Sequence, residues 1–110
     1  MVSGKVLVAP VMVAAAVAAV YTCAAVSAWL DKVTAYNSDT VTRWVTLYLV
    51  QSGGGASATT TIVYRKALAT NETYPFPEVV GHILVTGGAI LAVAEVASVV
   101  SLRVSGREVT

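Results

Sequence analysis

One cysteine, one histidine and one phenylalanine are all that this chain of 110 residues has of those types. A lone thiol excludes an internal disulfide, and no second Cys or His stands at metal-ligand spacing. Cys23 therefore reads as a small packing residue. Charge is scarce as well. Asp, Glu, Lys and Arg make up 12 % of the chain, about half the share usual in globular domains. The net charge of +1 gives no electrostatic footing for a basic nucleic-acid-binding face. There is no Cys–His pair and no cluster of carboxylates, and the Ser and Thr residues have no base beside them, so the chain is not expected to be an enzyme or to hold a cofactor or metal.

What fills the space left by charge is apolar. Hydrophobic residues reach 56 %. From Val6 to Leu30 no Asp, Glu, Lys or Arg occurs, and from Val79 to Leu102 the only ionisable residues are His82 and Glu95. As helices, runs of this length make rods of roughly 36–38 Å, enough to cross an apolar layer of about 30 Å. The sequence thus predicts a single domain, 1–110, of mainly α class. Two long antiparallel apolar helices, at 6–33 and 77–103, form a hairpin around a β-hairpin insert at 34–76. Val26-Ser27-Ala28 has the form of a signal cleavage site, but the apolar run exceeds the usual 7–15 residues, so the segment is expected to stay.

The small residues set the packing expected of these helices. Ala14/Ala18, Ala15/Ala19 and Ala24/Ala28 stand four apart, as do Gly88/Ala92, with Gly87 beside them; such spacing lets helix backbones approach closely. Glu95 is then a buried acid, expected to be neutral or bonded within or between subunits and structural in role. Glu78 suits the first turn of the second helix, and His82 lies near that helix start at an interface. In the middle, residues 40–50 and 58–68 are rich in β-branched and aromatic residues and alternate, so they read as two strands. The loop between them carries Gly53-Gly54-Gly55 without the Gly-Lys-Ser/Thr of a phosphate loop. Asn71-Glu72-Thr73 is an N-glycosylation acceptor pattern.

Two Ala/Val/Gly-rich apolar helices in a small chain resemble the pilins of conjugative, type IV secretion-type pili, in particular the archaeal DNA-import (Ced/Ted) pilins. The resemblance covers the helices and rests on architecture and composition. It implies a structural subunit that is a membrane protein before assembly and an extracellular filament afterwards. Its partners would be copies of itself, bound membrane lipid and the secretion machinery, with DNA passing through a lumen. The same composition fits the coat protein of a spindle-shaped archaeal virus, or a small two-span membrane protein such as a holin or an ion-translocating ring subunit.

Overall fold

Among the residues that the computed structural model describes (2–55, 57, 59–77 and 79–109), there is no helix. These described residues form nine strands: β1 (Val2–Met12), β2 (Ala18–Thr22), β3 (Ser27–Asn37), β4 (Arg43–Val50), β5 (Thr61–Leu68), β6 (Thr73–Tyr74), β7 (Ile83–Val85), β8 (Ala89–Ala94) and β9 (Val100–Val109). The mainly-α class, the helices at 6–33 and 77–103 and their hairpin are therefore corrected to an all-β fold. No described helix is long and apolar enough to cross a membrane, which removes the footing of the membrane-to-filament localisation and of the membrane-pilin description. Glu78 lies outside the described residues.

The physical reason is visible in β3 and β9. Ala28, Leu30, Val33, Ala35 and Asn37 are buried, while Trp29, Lys32 and Tyr36 are exposed. In β9, Val100, Leu102 and Val104 are buried between Ser101, Arg103 and Ser105. This is the two-residue period of a half-buried strand. It escapes a count of charges because the two apolar runs end at Leu30 and Leu102, just before the outward-facing Asp31, Lys32, Arg103 and Arg107.

All pairings are antiparallel. One sheet has the order β1-β9-β3-β6, with β7 also on β3; the other has the order β2-β8-β4-β5. The chain can be traced as one antiparallel ribbon. Its outer arms pair β1–β2 with β9–β8, and its inner arms pair β3–β4 with β6/β7 and β5. Folding that ribbon over itself brings β9 beside β3 and β8 beside β4, which is the connectivity of an eight-stranded jelly roll. The strand opposite β3 is interrupted: β6 meets Ala35 and Tyr36, β7 meets Ser27 to Trp29, and between them only Gly81 and His82, among the described residues, bond to β3, at Leu30. Pro75 and Pro77, which cannot donate to a ladder, frame that interruption. Between them Phe76, the only phenylalanine, is fully buried and meets Tyr74 edge-on at 4.8 Å. The segments read as strands at 40–50 and 58–68 contain β4 and β5, which do pair. They belong to the core of a sheet rather than to an insert between helices.

The apolar core lies between the two sheets and includes Leu30, Val33, Leu47, Leu68, Phe76, Ile90, Leu102 and Val104. Its one buried amide is Asn37 among the described residues, and that side chain is fully used. Nδ2 donates to the carbonyls of Leu68 (2.8 Å), Val41 (3.0 Å) and Ala69 (3.3 Å), and Oδ1 accepts from the Asp39 N–H. Replacing Asn37 with Ala orphans those groups at a buried site and should cost about 2–4 kcal/mol, read as a lowered midpoint in urea. Gly106 has a different constraint. It faces Leu30 across the ladder, and a methyl there would drive into the Trp29 carbonyl oxygen and Leu7. Gly106→Ala is expected to lose about 1–3 kcal/mol by overpacking, measured in the same way.

Candidate functional site

Strand pairing places three kinds of side chain on the outer face of the β1-β9-β3-β7 sheet. Residues directly opposite in an antiparallel ladder share a face. Trp29 stands opposite both Ile83 and Arg107, Lys32 opposite Ser105, Thr34 opposite Arg103, and Tyr36 opposite Ser101. On the far side of β9, Ser105 is opposite Val6 and Ser101 opposite Met12. The face therefore has a polar centre on β3 and β9 and apolar margins on β7 and β1.

The apolar margin at β7 is the more concentrated. Ile83 and Val85 are 56 % and 54 % exposed, with Trp29 next to them at 38 %. Val80 and Val26, in the connections that precede β7 and β3, are exposed as well. Val26 is tied to Val109 by its N–H, and the 80–82 turn is tied to Leu30 by the Gly81 N–H. The opposite margin carries exposed Val6 and Met12. Trp29 is held rigidly: the Arg107 guanidinium lies 4.5 Å above its ring and grips Asp31 with two bonds of 3.1 Å. Such a planar bidentate pair fixes a stacked arginine well.

In the polar centre, Lys32, Thr34, Tyr36, Ser101, Arg103 and Ser105 line a groove of about 470 Å³. The Tyr36 hydroxyl donates to Asn71 Oδ1 at 2.8 Å, which fixes the ring at one end of the groove. Asn71 sits on an exposed turn at φ 62°, a left-handed conformation that Asn tolerates. Sequence reasoning noticed Asn71 as a modification site and missed the groove. The alternation of Ser101, Arg103 and Ser105 with buried Val and Leu was the signal that could have found it.

The residues predicted to pack helices are scattered by the fold. Ala14, Ala15 and Ala24 are exposed in connections, and Ala18 and Ala19 are exposed on β2. Ala28 and Ala92 are buried in the core. Ala18 and Ala92 do meet, as direct partners across the β2·β8 ladder. Gly87 and Gly88 form the turn before β8, and Gly87 needs its freedom there because its φ is 86°. Glu95 is not a buried acid. It is exposed at the end of β8, where its carboxylate lies 3.5 Å from Arg43 Nη1. Arg43 is bound more closely by Asp39, at 2.7 Å. That hydrogen bond, followed by one from the Thr40 N–H, holds the Asp39 carboxyl below its ordinary range. Cys23 is buried and His82 exposed. Among the described residues no three His, Cys, Asp or Glu side chains gather at one point.

Away from this face, Tyr21 of β2 bridges the two sheets by donating to Glu108 of β9 at 2.5 Å. Burial first, and then this bond to a carboxylate, push the phenol well above its ordinary range. The unfolded phenol ionises near pH 10, so the folded chain retains a proton that the unfolded chain has lost. The bridge is fully stabilising below about pH 10, and its contribution declines as pH rises toward the folded value. Urea unfolding between pH 8 and 11 should show stability falling above about pH 10 in the native protein, with a smaller fall in Tyr21→Phe. The chain matches no family model, no curated protein and no solved structure, so its function is argued from this face alone.

Proposed function

We propose that the protein is a non-catalytic structural subunit that assembles with copies of itself. The observation that carries this reading is the pairing of Ile83 with Trp29, with Val85 two residues on along the same face of β7: large apolar side chains on one face and in water. Contiguous apolar patches of this kind mark association surfaces, whereas isolated exposed apolar residues do not. A second apolar margin, Val6 and Met12, lies on the other side of the same face. One copy can therefore present its β7 margin to the β1 margin of the next, or to its own like. The first arrangement is heterologous and closes into a ring or continues as a filament; the second is isologous and stops at a dimer. A net charge of +1 puts little repulsion between copies.

The sheet edges argue that this association runs through side chains rather than through strand addition. β1 has two register irregularities, and Pro10, which has no N–H to offer, falls in the second. β2 and β5 carry register shifts of their own, and the β6/β7 edge is interrupted. Such devices deter edge-to-edge pairing. Filament lipid and a DNA lumen were implied by two apolar helices; without those helices that argument lapses, and self-association now stands on different residues.

Sedimentation equilibrium over a wide concentration range tests the reading. The native chain should self-associate, and Ile83→Asp with Val85→Asp should shift it to monomer. Because both sites are exposed, the unfolding midpoint should move by no more than about 0.5 kcal/mol. A native chain that stays monomeric throughout, or an assembly indifferent to both substitutions, overturns it.

A further inference from the structure

Beyond self-association, we propose that the groove between β3 and β9 binds an acidic oligosaccharide, with Lys32 and Arg103 meeting its carboxylates and Tyr36 one of its sugar rings. The first ground is charge. Lys32 is opposite Ser105 and Arg103 is opposite Thr34, so the two cations are diagonal neighbours, about 7–8 Å apart at the backbone. Among the described residues neither side chain takes part in an ion pair or hydrogen bond. The adjacent acid, Asp31, is committed to Arg107 on the other side. Two neighbouring cations without a counter-charge repel each other on a sheet surface, and an anion between them reverses the sign of that interaction.

The second ground is the rest of the lining. Thr34, Ser101 and Ser105 bring three hydroxyls to successive rungs of the ladder, each able to donate and accept. Sugar hydroxyls need partners of both kinds. Tyr36, 37 % exposed and tethered through its hydroxyl to Asn71, presents an oriented ring against which the C–H face of a pyranose can lie. A volume of about 470 Å³ lies in the range of small-molecule sites and is far larger than a single phosphate requires.

The same features weigh against a nucleic-acid strand. Single-strand binding relies on several stacking rings along a strongly basic track. Here Tyr36 is the one aromatic lining the groove among the described residues, one face of the Trp29 ring is taken by Arg107, and the chain as a whole is nearly neutral.

Isothermal titration with an alginate hexasaccharide tests the assignment, with maltohexaose, a dT12 oligonucleotide and sodium phosphate as comparison ligands. The alginate oligomer should bind more than about tenfold more tightly than maltohexaose, and more weakly as salt rises. Lys32→Gln combined with Arg103→Gln should weaken it about tenfold or more, while Arg65→Gln on the opposite sheet should leave it unchanged. An unaltered thermal midpoint in the double variant shows that the fold is intact. Lack of alginate binding, or binding that ignores the double substitution, overturns the proposal. So does equal affinity for maltohexaose. Equal or tighter binding of dT12 through the same residues replaces the saccharide by a nucleic acid, and phosphate competing as well as alginate reduces the groove to a simple anion site. The Ile83→Asp, Val85→Asp chain should bind alginate as the native chain does, which separates this proposal from that of self-association.

Discussion

The side chain of Asn37 sits where the ribbon changes sheets. The β3–β4 and β5–β6 crossovers meet there, and a single carboxamide closes both by accepting from Asp39 and donating to Val41, Leu68 and Ala69. The Asn37 backbone joins in, its N–H donating to Glu72 and its carbonyl accepting from Asn71. Ser38 then fastens the β8–β9 connection through the carbonyl of Val99. Crossovers must leave the ladder pattern, so their carbonyls have no strand partners. Burying them is tolerable only where a side chain supplies the missing donors. The apolar core between the sheets can close over this end because that demand is met.

The opposite end of the sandwich is closed by other means. The Cys23 N–H donates to Gly88 and the Gly87 N–H to Cys23, while the Thr86 hydroxyl reaches Ala25. Gly87 lies so close to Ser52 of the β4–β5 loop that a side chain there would collide with it. One end thus depends on an amide that satisfies many groups, the other on a residue with no side chain. Between them the outer face of the β1-β9-β3-β7 sheet is anchored by the Trp29–Arg107–Asp31 stack at one end and by Tyr36–Asn71 at the other.

Part of this was legible in the amino acids. The strands at β4 and β5 declared themselves because β-branched and aromatic residues alternate there and a glycine loop separates them. An alternating pattern also runs from Val100 to Ser105, yet its first three residues close a long stretch with hardly any charge, and they were joined to that stretch. In the second apolar run Gly87, at φ 86°, separates β7 from β8, and Ser98, at φ 65°, lies in the turn between β8 and β9; reading Gly87 as a close-packing surface joined three strands into one helix. The first run offers no such mark. Its bend at residues 13–17 is built from alanine and valine, whose preferences do not signal a turn. Ala14, Ala15, Ala18 and Ala19 count as apolar in composition but are exposed in the fold. The candidate face was hidden for a related reason: pairing over some seventy residues, between β3 and β9, is what sets Lys32 beside Arg103.

Pairing of β1 with β9 sets Val2 opposite Val109, and this has a consequence for how the protein is made. β1 leaves the ribosome well before β9 and must wait for it, roughly 5–20 s at ordinary elongation rates. β2 likewise waits for β8. Over that interval a stretch dominated by valine and alanine is unpaired, the circumstance in which strands find the wrong neighbour. Pro10 and the irregular register of β1 act during that wait as well as afterwards, since a strand that cannot form a continuous ladder is a poor template for any chain but its own.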